Sequence, residues 1–193
     1  MLKDYETNKP VIHTQRLLLR KLVASDADDL REWLGLPEIY EFWGRKASRG
    51  EREPELLFYS PRETKRPKVN LDFKWGIELA SEHKVVGMLE VFDIEDCRMG
   101  YIAYRLHPEY WNQGITTEAL KGAIDFIFRN TELNRLHANA NVKNYRSNRV
   151  LEICGFTKEG TIRHGKMVRE YCDYNIWGLL REDYEAERDS CCN

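Results

Sequence analysis

Long apolar runs are missing from this chain of 193 residues. No stretch approaches the roughly 20 apolar residues needed to cross a bilayer, so no membrane partner is expected. The opening Met1–Pro10 is polar and lacks the apolar centre of a secretory signal, which points to the cytoplasm. A dominant charge is lacking too. Thirty Lys and Arg stand against 32 Asp and Glu, a formal net charge of -2. No global field therefore draws in nucleic acid, and any basic site must be local. The five cysteines, Cys97, Cys154, Cys172, Cys191 and Cys192, are odd in number and have no metal-ligand spacing. They argue against a disulfide framework and give no reason to expect a metal. Internal repeats and low-complexity linkers are absent as well.

What remains is 42% hydrophobic and 32% charged, enough apolar material for a core beneath a well-solvated surface. The length fits one domain over residues 1–193. Its least regular part is an insertion at about 36–70, punctuated by Pro37, Pro54, Pro61 and Pro67, which reads as a substrate-facing cover. One amphipathic helix, around Arg52–Tyr59, is expected inside it.

Arg16–Arg20 reads as a first strand, and Ser25 as the cap of a helix through Leu34. Phe73–Ala80, Lys84–Ile94 and Arg98–Leu106 are β-branched or aromatic and separated by polar turns, an antiparallel meander. Thr116–Arg129 has helical spacing, with Ala119, Leu120, Ala123, Phe126 and Ile127 on one stripe. Leu136–Val142 alternates. Ser147–Ile153 is a short helix closed by Gly155, Thr157–His164 and Tyr171–Leu179 are final strands, and a charged helix follows at Arg181–Glu187. The fold class is α/β in the α+β sense: one mixed sheet with helices on both faces.

The most informative segment runs from Gly100 to Ala119. A strand ends at Leu106, a tight loop holds Pro108 and Gly114, and a helix begins at once. The first turn of such a helix presents unpaired N–H groups and the positive end of the dipole. Gly114 lets backbone approach a bulky anion. A plain strand–turn–helix corner would look much the same. The glycine pattern is not that of a dinucleotide fold and the lysine of a P-loop is missing, which counts against a nucleoside triphosphate.

His107-Pro-Glu-Tyr-Trp-Asn-Gln-Gly-Ile-Thr-Thr-Glu-Ala119 resembles the acetyl-CoA diphosphate loop of the GCN5-related N-acetyltransferase (GNAT) superfamily. Its nearest likeness is to the branch with ribosomal-protein N-terminal acetyltransferases. Asn144-Tyr-Arg-Ser-Asn-Arg-Val-Leu-Glu-Ile-Cys-Gly-Phe156 resembles that branch's second cofactor motif, and Thr14-Gln-Arg-Leu-Leu-Leu-Arg20 its opening strand. The likeness spans about Ile12 to Glu185.

The resemblance implies a sheet of about seven, mostly antiparallel strands, splayed where the strand ending at Leu106 meets the one starting near Arg135. Pantetheine would lie in that gap against the backbone of Tyr104, Arg105 and Leu106. The diphosphate would rest on the amides of Asn112, Gln113, Gly114, Ile115, Thr116 and Thr117. Asn144 would contact the pantetheine arm, and Ser147 would stand near the sulfur as a proton donor. The chain departs from the family at Thr116, where a smaller residue is usual, and at Leu151, where many members carry a tyrosine acid. The acid is then Ser147, Tyr145 or no side chain.

Aminolysis of a thioester also needs a neutral amine. Glu90 is the first candidate base, since alternation sets it on a face with Val86, Met88 and Phe92, where burial would raise its pKa. The competing reading is a carboxylate paired across the sheet. Glu109 and Glu78 are weaker candidates. His137, Asn139 and Asn141 share a polar strand face that either lines a cleft or is hydrogen-bonded within the sheet. Trp43 is a packing aromatic or the floor of an acceptor pocket. Arg45-Lys46 with Arg49, and Lys65-Arg66-Pro67-Lys68, are solvated loop charge, or contacts to the adenosine 3′-phosphate or to an acidic acceptor. The expected activity is acetyl transfer from acetyl-CoA to a primary amine, on a protein N-terminus or a small molecule. A non-catalytic acyl-CoA-binding domain is the alternative, and either a monomer or a homodimer fits.

Overall fold

The computed structural model describes residues 10–59, 73–95 and 98–191. The cluster Lys65-Arg66-Pro67-Lys68, together with Pro61, Cys97 and Cys192, lies outside them. Eight strands form one sheet in the order β1-β2-β3-β4-β5-β6-β8-β7. They are β1 (Ile12–His13), β2 (Leu17–Arg20), β3 (Phe73–Leu79), β4 (Lys84–Glu95), β5 (Met99–Leu106), β6 (Arg135–Asn141), β7 (Thr157–Met167) and β8 (Glu170–Leu180). The count exceeds the expected seven because Ile12–His13 pairs with β2 as a two-residue ribbon.

Helix α1 is Ala27–Trp33, preceded by a 3-10 turn at Ala24–Asp26. Asp26, not the expected Ser25, organises this start, accepting from the Val23 amide at 2.8 Å and twice from Arg20. The helix expected around Arg52–Tyr59 is two short helices, α3 (Arg49–Arg52) and α4 (Leu56–Tyr59), after α2 (Pro37–Tyr40). Pro54 between them has no N–H to continue the ladder. The remaining helices are α5 (Ile115–Asn130), α6 (Tyr145–Ile153) and α7 (Arg181–Cys191).

Two apolar clusters flank the sheet. The larger joins Leu19, Trp75, Leu89, Val91 and Ile102 to Ala119, Leu120 and Ile127 of α5 and Leu151 of α6. The smaller joins Leu30 and Trp33 of α1, Leu34 just after it and Tyr40 of α2 to Val85 and Met88. The stripe read along Thr116–Arg129 is thus the face that α5 turns to the sheet.

A bulge decides which way β4 faces. Its pairing with β3 passes from Ile77↔Gly87 to Glu78↔Val85, leaving Val86 as the extra residue. An inserted residue flips the alternation, so Val86 joins the larger core while Val85 and Met88 join the smaller. The expected common face of Glu90 and Val86 is therefore corrected.

The decisive irregularity is between β5 and β6. These parallel strands pair only through Met99↔Arg135, Gly100↔Leu136 and Tyr101↔His137. Beyond Tyr101, β5 still pairs with β4 as far as Leu106, and β6 with β8 as far as Asn141. Each strand keeps its outer neighbour, and the gap between them opens as the sequence reading expected. The Tyr101 hydroxyl marks its apex, accepting from the Asn139 amide at 3.1 Å.

Candidate active site

The loop from His107 to Gly114 is built by its own side chains. His107 Nδ1 accepts from the Glu109 amide at 3.1 Å, the Trp111 indole donates to the Leu106 carbonyl at 2.8 Å, and the Gln113 amide group donates to the Glu109 carbonyl at 2.9 Å. Burial, the first cause, holds the His107 imidazole below its ordinary pKa, and a neutral ring is what the Nδ1 acceptor role requires.

Asn112 and Gly114 have φ of +61° and +75°. The left-handed turn at Gly114 starts α5, whose first ladder bond runs from Glu118 N to Gly114 O at 2.9 Å. Among the described residues no protein oxygen accepts from the amides of Ile115, Thr116 or Thr117. Three bare donors therefore stand at the positive end of a 16-residue helix.

Glu118 anchors this helix end to the opening strand. It accepts from Thr14 Oγ1 at 2.6 Å, from the Arg16 amide at 2.7 Å and from Arg16 Nε at 2.7 Å, while Arg16 Nη1 reaches the Gln113 carbonyl at 3.1 Å. The Thr14–Arg20 motif and the loop motif, about a hundred residues apart, are two halves of one bracket. The sequence reading missed that link, which the Glu118 of the motif carries.

Helix α6 faces α5 across the opening. Asn144 caps it, its Oδ1 accepting from the Ser147 amide at 3.1 Å, which leaves the Asn144 amino group to donate elsewhere. Asn148, absent from the sequence reading, pins the helix to the sheet: its Oδ1 accepts from Asn175 at 2.7 Å and from the Trp177 indole at 3.1 Å. Leu151 is buried in the core. The Ser147 hydroxyl lies 2.9 Å from that of Tyr104.

These parts enclose one cleft of about 420 Å³. Tyr104, Arg105 and Leu106 of β5, Asn112 and Gly114 to Thr117 at the loop, and Asn144, Arg146 and Ser147 of α6 all line it. Of the predicted site, Gln113 and Glu90 do not. Gln113 turns its side chain back on the loop, and the Leu106 carbonyl already accepts from Trp111, so one lone pair fewer remains for a ligand. The α2 side contributes Glu38, Glu41 and Trp43. Besides Arg105, the basic groups at the cleft are Arg146, stacked 4.6 Å over Trp111, and Arg149, paired with Glu152. Arg45 and Arg49 are paired with Glu51 and Glu53, Arg49 as an exposed charge.

Glu90 sits in an ion pair, the competing reading of a carboxylate paired across the sheet, and not in the apolar setting. Its Oε1 lies 3.6 Å from Arg105 Nη2. Arg105 is buried, donates to Glu51 at 2.5 Å and to the Tyr40 hydroxyl at 3.2 Å, and stacks 4.7 Å over Trp43. Glu78 is occupied by Arg20 at 2.5 Å, and Glu109 is an exposed loop charge. His137, Asn139 and Asn141 do share one half-buried face of β6. Among the described residues no group of three His, Cys, Asp or Glu is placed to hold a metal.

Residues 16–157 match the acetyltransferase (GNAT) domain family. This chain is a GNAT acetyltransferase. A relative in Bacillus subtilis, the uncharacterized N-acetyltransferase YoaA, is 25% identical over 155 residues, 80% of this chain and 86% of that protein. Among solved structures, the Vibrio fischeri ribosomal-protein-S5-alanine acetyltransferase superposes with a TM-score of 0.75 at 21% identity, covering 91% of this chain and 98% of that one. The Vibrio cholerae spermidine N-acetyltransferase in complex with CoA and spermine gives 0.72 at 20% identity, covering 88% and 98%. At such identities the structural likeness concerns the GNAT fold. The family uses acetyl-CoA as acyl donor.

Proposed function

We propose that this acetyltransferase moves the acetyl group of acetyl-CoA to a primary amine by direct attack within a ternary complex, with residues 1–193 acting as one catalytic unit. One observation carries the reading: the strand gap beyond Tyr101 and the bare amides of Ile115–Thr117 open into the same cleft. An extended amide-bearing arm fits an unpaired strand edge, and a diphosphate fits a helix N-terminus. Acetyl-CoA brings both, joined, and supplies an activated thioester.

In this reading the amides of Asn112 and of Gly114 to Thr117 hold the diphosphate. The free backbone of Tyr104–Leu106 and the amino group of Asn144 hold the pantetheine arm. Ser147 hydrogen-bonds the departing sulfur, and Glu90, outside the cleft lining but 3.6 Å from the cleft residue Arg105, is the base for the amine. Positioning the two substrates supplies much of the rate. Ser147→Ala is expected to lower kcat about tenfold with little change in the Kd for CoA; an unaltered kcat removes Ser147 from the reaction. Glu90→Gln is expected to lower kcat/KM by about a hundredfold near neutral pH. The loss should narrow as rising pH deprotonates the amine unaided. A profile parallel to that of the wild type rules out Glu90 as the base.

For the acceptor we favour a protein N-terminal amine, on the likeness to the S5-alanine enzyme. The spermidine enzyme shares the fold almost equally, and the carboxylates Glu38 and Glu41 at the cleft suit an ammonium group of either kind. The deciding experiment incubates the protein with acetyl-CoA, a thiol reagent, and a panel of N-terminal peptides and polyamines. CoA release dependent on an N-terminal peptide supports the reading. Release on polyamines alone overturns the choice of acceptor, and no release on any amine overturns the reaction.

A further inference from the structure

Tyr104 lies on the part of β5 that has lost its β6 partner. Its side chain crosses to α6, where the hydroxyl lies 2.9 Å from Ser147 Oγ and 3.2 Å from the Ser147 carbonyl oxygen. The contact ties the free end of β5 to the helix on the far side of the cleft. Asn144 already holds the Ser147 amide, so Ser147 is gripped at both its backbone and its hydroxyl. Leu151, where many family members carry a tyrosine, is buried in the core. Among the residues of α6 and β5 that line the cleft, the hydroxyl pair next to a departing sulfur is therefore Ser147 with Tyr104 behind it.

A phenol has one proton and two acceptor positions, as does an aliphatic hydroxyl. The one phenol proton has two acceptors in reach, Ser147 Oγ at 2.9 Å and the Ser147 carbonyl at 3.2 Å; the phenol is the stronger donor and the hydroxyl contact the shorter, which favours donation from Tyr104 to Ser147 Oγ. We infer that Tyr104 is a positioning residue for the reaction, donating to Ser147 Oγ and so turning the Ser147 proton into the cleft toward the leaving sulfur. The inference rests on the acetyl-transfer reading above. Burial pushes the Tyr104 phenol well above its ordinary pKa, although its bond with Ser147 opposes this. Tyr104 thus keeps its proton, the form in which it can donate to Ser147. The transfer balances without it. The amine nitrogen forms a bond to the acetyl carbon, and the C–S bond breaks with its electron pair on sulfur. The proton shed by nitrogen is the one the thiolate finally takes. Ser147 hydrogen-bonds that sulfur meanwhile with no net loss of a proton.

The test is a double-mutant cycle on kcat and KM with acetyl-CoA, beside calorimetry with CoA and thermal melts. Tyr104→Phe is expected to lower kcat about tenfold, a lost hydrogen bond's worth of rate, with KM for acetyl-CoA within about twofold. In a Ser147→Ala background the same change should cost nothing further. Losses that multiply, or a lower melting temperature with kcat intact, overturn the inference, since a purely structural tyrosine behaves that way. If Tyr104→Phe does not fold, 3-fluorotyrosine at position 104 keeps the shape and sharpens the donor. Its kcat should match or exceed the wild type only while Ser147 is present, and a fall in kcat overturns the inference. A wild type that turns over while Ser147→Ala is unimpaired sinks this inference and leaves acetyl transfer standing. A wild type with no heat of CoA binding sinks both.

Discussion

Gly114→Val is expected to raise the Kd for CoA at least about a hundredfold in a protein that still melts cooperatively. Gly114 has φ of +75°, and a Cβ built there meets nothing closer than Arg16 Nη2 at 3.6 Å. The fold itself therefore has room for a side chain. The backbone cost of a non-glycine residue at this angle is about 1–2 kcal/mol, which the protein as a whole survives. The ligand does not escape so lightly: two methyl groups would stand beside the amides of Ile115 and Thr116, where the diphosphate is proposed to rest. Gly114→Ala should fall between. Calorimetry with CoA alongside a thermal melt separates the two effects, and wild-type affinity in the valine variant would displace the diphosphate from this helix end.

The second large effect concerns stability. Glu51→Gln should lower the melting temperature by about 10 °C, from a loss of about 3–5 kcal/mol. The Glu51 carboxylate accepts two bonds from Arg45 at 2.7 Å, one from the Ser48 amide at 2.7 Å and one from Arg105 at 2.5 Å. With it neutralised, Arg105 stays buried beside Tyr40 and Trp43 with only Glu90, at 3.6 Å, for a counter-charge. Burial by itself disfavours the ionised carboxylate, but Arg45, Ser48 and Arg105 outweigh it and hold Glu51 well below the usual carboxylate range. The folded pKa is depressed, so the unfolded chain takes up the proton first. The stabilisation is whole above the ordinary value of about 4.5 and drains away as pH falls below it. Melts of wild type and Glu51→Gln from pH 7 to pH 3 should converge in acid. A constant difference would remove Glu51 as the source. Because Arg105 and Trp43 wall the α2 side of the cleft, the variant should also raise KM for the acceptor.

Much of the scaffold was legible because its signals are local. Burial alternates along Leu136, Ala138 and Ala140, and the stripe Ala119, Leu120, Ala123 and Ile127 is buried as its spacing required. The loop around Gly114 was legible for the same reason, since a glycine before a helix start permits a left-handed turn that other residues resist. Less was readable in the insertion. Pro54 splits a segment that looked like one helix, and the charges of Arg45 and Glu51 resemble solvated loop residues until Arg105, 54 positions from Glu51, is brought against them. Glu90 was read two ways from alternation, and Arg105 on the neighbouring strand, which no local pattern names, decided for the paired carboxylate, while the bulge took Val86 off its face.

Local pattern determined the seven longer strands and the helices of the β5–α7 half, because each depends on residues within a few positions of one another; the short ribbon Ile12–His13 and the helices of the insertion escaped it. Tertiary structure decided three things. It set the parting of β5 from β6 after three pairs, the bracket of Thr14 and Arg16 on Glu118, and the meeting of Tyr104 with Ser147. Each joins groups between 36 and 104 residues apart in the chain. No periodicity records such a contact, because its geometry comes from how the sheet twists and which helix packs against it.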